Sequence, residues 1–203
     1  VTLSRLVLWR HGETGHNAEG RLQGHLDTEL TERGRAQARR AAPELVRFEP
    51  EVVVTSDLRR AADTASAFHL ITGVKTQTDT RLRETHMGDW EGLTSVEIEE
   101  AWPGLLSKWR DDPTQPTPNG ETRIQVADRA ASVVADLDKE YSGTVLLCAH
   151  GGLITTLTGR LLGLDLPHWL QLGGIGNCHW TVLERRADDI VWRLRQYNAG
   201  ISE

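Results

Sequence analysis

The chain has 203 residues, 38% hydrophobic and 26% charged, which suits one folded domain with its own core and excludes a disordered chain. Asp plus Glu outnumber Lys plus Arg, 29 to 23, for a formal charge of −6. Such a chain is a poor binder of nucleic acid or anionic membranes, so any affinity for phosphate must come from a local cluster of arginines. The two cysteines, Cys148 and Cys178, form neither a CxxC pair nor a disulfide framework. No apolar run approaches a membrane span, and the apolar stretch ahead of Arg10 is too short for a signal peptide. The expectation is one domain over residues 1–203, in the cytosol.

In chain order, residues 6–9 (LVLW) read as a short buried strand. Residues 31–48 read as a helix that Pro43 bends. The β-branched run at 52–54 is a second buried strand. Ser56 or Asp57 is expected to cap a helix running to Ile71 and ended by Gly73, with a third strand at 74–78. Thr94 and Glu97 have the spacing of a capping box for a short helix towards Trp102. The run PTQPTP at 113–118 is a loop inside the domain. Ile124, Val126, Ala130, Val133, Val134 and Leu137 have helical spacing within 122–141. Residues 145–148 form a further buried strand and 153–162 a helix. Alternation at 179–183 and 190–194 suggests a final hairpin. Strands alternating with helices imply an α/β sandwich with a largely parallel sheet, which binds ligands beyond the carboxyl ends of its strands.

The unusual polar residues fall there. Arg10-His11-Gly12-Glu13-Thr14 follows the first strand, Ser56-Asp57-Leu58-Arg59-Arg60 the second, Arg81-Leu82-Arg83-Glu84 the third, and Ala149-His150-Gly151-Gly152 the strand at 145–148. Two histidines, several arginines and a carboxylic acid on one rim suit phosphoryl transfer. Arginine forks match phosphate oxygens, a neutral imidazole can attack phosphorus, and an acid must protonate a departing alkoxide. A second histidine can donate to the phosphoryl oxygens, and the glycines let backbone and helix amides approach the anion. Arg59 and Arg60 open a helix, where a cation is poorly placed for the dipole; a ligand role is therefore expected for one of them. His16, His25 and His86 are candidates for the mouth of the site, whereas His69, His168 and His179 are assigned to structure. Trp9, Trp180 and Trp192 fit strand cores; Trp90, Trp102, Trp109 and Trp169 could wall a pocket or an interface.

These blocks, with Asn17, with Leu30-Thr31, Gly34 and Gln37-Ala38, and with Gly88 and Trp90-Glu91-Gly92, resemble the ordered signature of the histidine phosphatase (phosphoglycerate mutase-like) superfamily. The match runs from Arg5 to about Gly152. The resemblance implies a phosphoglycerate mutase-like three-layer sandwich and a phosphomonoesterase without metal or cofactor. It makes His11 the nucleophile, Glu84 the proton donor, and Arg10, Arg60 and His150 the phosphate pocket. Asn17, Gln23, Gly24 and Gly151 would be further phosphate or substrate contacts. The loop from Glu84 to Gly92 resembles the phosphatase branch more than the mutases. Thr80 to His86, Leu172-Gly173-Gly174, Gly176-Asn177 and Trp180-Thr181 resemble the actinobacterial glucosyl-3-phosphoglycerate phosphatases, which implies a homodimer acting on glucosyl- or mannosyl-3-phosphoglycerate. Alternatives are a phosphoglycerate mutase or a phosphatase for another small ester such as α-ribazole phosphate. Discrimination beyond the phosphate is expected from Gln23, His25, Arg81, His86 and the Trp90 region.

Overall fold

The computed structural model describes residues 2–186 and 189–201. Its elements are β1 (Arg5–Arg10), α1 (Gly15–Ala18), α2 (Glu32–Leu45), β2 (Pro50–Thr55), α3 (Arg59–Thr72), β3 (Thr76–Thr78), α4 (Ser95–Ala101), α5 (Leu105–Asp111), α6 (Arg123–Glu140), β4 (Thr144–Ala149), α7 (Gly151–Leu161), α8 (Leu166–Trp169), β5 (Trp180–Glu184) and β6 (Arg193–Ala199). The sheet order is β3-β2-β4-β1-β5-β6. β3, β2, β4 and β1 are mutually parallel, and β5 and β6 complete one edge as an antiparallel pair. The last strand starts at Arg193, later than the alternation at 190–194 implies: Ile190 and Val191 are exposed, and only Trp192 turns into the core.

The period-two pleat sorts the strand residues into two cores. Leu6, Leu8, Val52, Val54, Val145 and Leu147 face α6 and α7, whose Val126, Ala130, Val133, Leu153 and Leu157 complete that layer. Val7, Trp9, Val53, Leu146 and Cys148 face α2 and α3, meeting Ala41, Ala42, Leu45, Ala65 and Phe68. The result is the expected three-layer sandwich. Both faces of β4 are covered, and all six of its residues are buried. A smaller apolar cluster of Met87, Trp90, Ile98 and Leu106, flanked by Leu22, Trp102 and Trp109, joins α4 and α5 to the loop after β3.

Local signals explain most element ends. Thr94 and Glu97 form the capping box of α4, and Gly73 closes α3 at φ 70°, a conformation that glycine takes without a steric penalty. Pro43 lies in the last turn of α2, after which the chain tightens into a 3-10 turn over Val46–Phe48. The start of α3 departs from expectation. Its N-cap is Leu58, which has no capping side chain. The exposed amides are met from elsewhere: Ser56 Oγ accepts from Leu58 N at 3.3 Å and Asp27 from Arg59 N at 2.7 Å. Asp57 is drawn away by a two-point ion pair with Arg83, at 2.8 and 2.5 Å. Among the described residues no helix is long and apolar enough to cross a membrane.

One contact seats the loop after β1 on α2. A Cβ on Gly12 would lie 2.4 Å from the Gly34 carbonyl oxygen, and one on Gly34 would lie 2.1 Å from that of Glu13. Backbone meets backbone here, with no flexible side chain to yield. Gly34→Ala should therefore destabilise the fold by about 2 kcal/mol. Gly15→Ala, where an added Cβ meets nothing within 4 Å, should be neutral or slightly stabilising. Urea unfolding midpoints of the two variants check this; equal midpoints would remove the close approach as a constraint.

Candidate active site

The strand register assembles the centre. β1 pairs with β4 up to Arg10 opposite Ala149, and His11 N donates to Ala149 O at 3.0 Å. His11 and His150 are the next residues of the two strands, and their ring centroids lie 5.2 Å apart. Both rings are buried. His11 Nδ1 lies 2.7 Å from the carbonyl oxygen of Gly12. A carbonyl oxygen only accepts, so Nδ1 carries the ring proton and Nε2 keeps the lone pair. Burial pushes the His11 pKa well below its ordinary value, and the Arg10 and Arg60 charges push it further the same way. His150 is shifted down likewise, by burial first and then by Arg60, His11 and Arg10. Both imidazoles are therefore neutral near pH 7.

Arg60 is fully buried. Its Nη atoms donate to Leu26 O at 2.6 Å and Gly24 O at 2.8 Å, which fixes the plane of the guanidinium. Burial brings its pKa down to about 10, against the opposing charges of Glu84 and Asp27. Arg10 is also lowered by burial. Arg10 Nε, Arg60 Nε and both ring nitrogens of His150 have no hydrogen-bond partner among the described residues. A buried polar atom left unpaired costs roughly 1–3 kcal/mol. Several in one place, mostly cationic or donor, fit a bound anion with several acceptor oxygens.

Glu84 closes the arrangement. Its carboxylate accepts from Gly152 N at 2.9 Å, Leu153 N at 3.0 Å and Thr85 N at 2.8 Å, seating it on the first turn of α7. A Cβ on Gly152 would lie 2.6 Å from Glu84 Oε1, so the glycine makes this seat possible. Arg129 of α6 holds the backbone behind it, donating to the carbonyls of Arg81, Arg83 and Glu84 at 2.6–2.8 Å. Glu121 pairs with Arg129 at 2.9 Å, and His25 Nε2 lies 2.9 Å from the Glu84 carbonyl oxygen. Glu84, Arg10, Gly151 and Gly152 line one cleft of about 340 Å³ together with Leu22, Met87, Trp109, Arg123, Thr155 and Ile175.

Arg10, His11, Arg60, Glu84, His150 and Gly151 thus meet as the sequence blocks imply. The carbonyl of Gly24, at φ 52°, orients Arg60. Gln23 is buried, its Oε1 taking bonds from Thr14 and Thr28, which leaves its amide NH2 as the end with hydrogens to give. Asn17 caps α1 with Thr14 and accepts from Asn177 Nδ2, which also donates to the His11 carbonyl; its contacts are to the loop that carries His11. Two expectations are corrected. Arg81 is turned away from the cleft by Asp79 and Asp136, and Trp90 is wholly buried in the small cluster under α4 and α5. Their places on the cleft wall are taken by Arg123 and Trp109. No block singles out Arg123 or Arg129, and Asn177 stands in the Gly176-Asn177 block without an expected role. Arg129 had a usable signal, since it falls on the apolar stripe of Val126, Ala130 and Val133, where a cation has to be buried and paired. Among the described residues no three His, Cys, Asp or Glu side chains group as a metal site.

The two neutral histidines make stability depend on pH with a definite sign. In the unfolded chain they take up protons near pH 6.5; in the folded chain they do so only well below it. Between those values the unfolded state binds more protons, so stability falls as pH falls from about 6.5. His150→Gln removes one such group. Its loss of unfolding free energy from pH 7 to pH 5 should be shallower than that of the wild type, by at most about 1.4 kcal/mol per pH unit, the limit for one proton. Parallel profiles from denaturant titrations in phosphate-free buffer would contradict the burial of a neutral His150.

With this geometry in view, residues 6–200 match the histidine phosphatase superfamily, branch 1. The chain is 47% identical to a glucosyl-3-phosphoglycerate phosphatase of Mycolicibacterium vanbaalenii, over 98% of this chain and 96% of that protein. It is 46% identical to one of Mycobacterium tuberculosis, over 97% and 95%. The solved structure of a mycobacterial glucosyl-3-phosphoglycerate phosphatase in complex with VO3 superposes with a TM-score of 0.91 at 47% identity, covering 97% of this chain and 100% of that one. The chain belongs to the histidine phosphatase superfamily, branch 1, as a phosphomonoesterase.

Proposed function

We propose that this phosphomonoesterase hydrolyses glucosyl-3-phosphoglycerate through a phosphohistidine on His11. The observation that carries the mechanism is the neutral, oriented imidazole of His11 beside the unpartnered nitrogens of Arg10, Arg60 and His150. The phosphoryl group binds with its oxygens on those nitrogens, and its negative charge offsets the two buried guanidinium groups. His11 Nε2 attacks phosphorus, and the bond to the ester oxygen breaks. That oxygen takes a proton from the carboxylic acid of Glu84 and leaves as the alcohol. The Glu84 carboxylate then takes a proton from water, the water oxygen attacks phosphorus, and the P–N electron pair returns to Nε2. Inorganic phosphate leaves, and Glu84 is again protonated. The Gly12 carbonyl holds the tautomer through both steps.

The substrate rests on the near full-length likeness to the mycobacterial enzymes and on a cleft lined by apolar and cationic side chains next to Glu84. A cytosolic homodimer completes the proposal. Leu30, Ala38, Ala67, Leu70 and Ile71 line a groove between α2 and α3 edged by Arg35, Arg39 and Asp63, a mixed apolar and charged face suited to a second copy; sedimentation velocity tests it.

Three outcomes are expected. Enzyme quenched in alkaline denaturant should carry acid-labile, base-stable phosphate, absent in His11→Ala, and that variant should lose turnover while staying folded. Glu84→Gln should slow alkyl phosphates by about two to four decades and p-nitrophenyl phosphate far less, since nitrophenolate leaves without a proton; equal loss on both would exclude Glu84 as donor. In a direct comparison at one pH, glucosyl-3-phosphoglycerate should exceed 3-phosphoglycerate in kcat/KM by more than about tenfold, because sugar contacts help position the ester. Parity would remove the sugar from the substrate, and interconversion of phosphoglycerates driven by a bisphosphoglycerate primer would make the chain a mutase.

A further inference from the structure

The cleft beside Glu84 holds a second cation with an unusual environment. Arg123, the first residue of α6, lies with its guanidinium carbon 4.2 Å from the centre of the Trp109 ring. Its Nη1 donates to the carbonyl oxygens of Trp109 and Asp112, at 2.5 and 3.4 Å. Burial lowers its pKa, opposed only by Asp112, whose own carboxylate accepts from Thr114. The neighbouring arginines are neutralised differently: Arg81 pairs with Asp79 and Asp136, Arg83 with Asp57, and Arg129 with Glu121. Arg123 makes no ion pair among the described residues. It is held in place by a ring and two carbonyls, and it faces the same cleft as Arg10 and Glu84. The lining of that cleft also includes Leu22, Met87, Leu172 and Ile175. A guanidinium that is oriented, partly dehydrated and without a carboxylate partner is well suited to take one from a ligand.

We propose that Arg123 is the specificity residue for a carboxylate on the substrate, so that the cleft selects small phosphomonoesters with a second anionic group a few bonds from the phosphate. Deepening the phosphomonoesterase reading above, this assignment rests on it but does not depend on the sugar. The ester's phosphoryl end goes to Arg10, Arg60 and the histidines; its carboxylate goes to the Arg123 fork. The ring of Trp109 supports the guanidinium from behind, and the carbonyl contacts stop it from swinging to solvent.

The experiment compares matched esters that differ only in that charge: 3-phosphoglycerate against glycerol 3-phosphate, and glucosyl-3-phosphoglycerate against its methyl ester. Wild-type enzyme should prefer the carboxylate member of each pair. In Arg123→Gln the preference should shrink by about tenfold or more, mainly through KM. Arg123→Lys keeps the charge without the fork and should retain part of it. An unchanged preference in Arg123→Gln, or equal losses on both members of each pair in both variants, would overturn the assignment and leave Arg123 as a support for α5. The two readings fail separately. If wild-type enzyme rejects the glucosyl ester yet its preference for 3-phosphoglycerate depends on Arg123, the substrate proposal falls and this one stands. If it hydrolyses the glucosyl ester well with a carboxylate preference independent of Arg123, the reverse holds.

Discussion

Six paired positions join β1 to β4, from Arg5 opposite Thr144 to Arg10 opposite Ala149, and the next residue of each strand is a histidine. The parallel register therefore brings His11 and His150 together before any side-chain contact is made. A slip of one residue would do more than separate them. It would turn Val7 and Trp9 towards the helices that now receive Leu6 and Leu8, and those layers differ in size. Small residues of α2 and α3 accommodate Trp9, whereas α6 and α7 present Val, Leu and Ile. The packing of two cores thus sets the separation of the two imidazole rings, and the energy that holds it is hydrophobic.

The same economy governs the charges. Arg60 is buried without a carboxylate partner, and two backbone carbonyls hold it in place of an acid. A carboxylate there would satisfy the guanidinium and occupy the place of the anion. Carbonyl oxygens supply partial charge and geometry but leave the site net positive. Arg123 follows the same pattern with Trp109 and Asp112, and the arginines that serve structure, Arg81, Arg83 and Arg129, do not. Among the arginines described around this cleft, a missing ion pair separates Arg10, Arg60 and Arg123 from those that brace a loop.

The sandwich was legible because its strands are short apolar runs and its helices have clear periods and caps. The centre was legible because the polar residues directly follow the strands, so one-dimensional order converts into spatial convergence. What the sequence does not carry is the direction of long side chains. Arg81 and Arg83 both stand near Glu84, yet Asp79, Asp136 and Asp57 decide where they point. Neither Trp90 nor Trp109 announces its burial locally, and only the folding of α4 and α5 over the loop after β3 buries the first and leaves the second on the cleft. Asp57 looks like a helix cap until Arg83 competes for it, while the cap itself arrives from Asp27, some thirty residues away. Partners distant in sequence override local preference at these points.

The seat of Glu84 on α7 has a wider consequence. His150 is the N-cap of this helix and Glu84 is bound to its first amides, so the group proposed to receive the phosphoryl oxygens and the group proposed to meet the leaving alcohol are tied to one helix end. Any displacement of that helix carries both along and preserves their spacing. Divergence towards other alcohols is then easiest where the remaining wall is hung from separate pieces, on α5 and the start of α6, whose replacement would reshape what enters without touching the distance over which a proton has to travel.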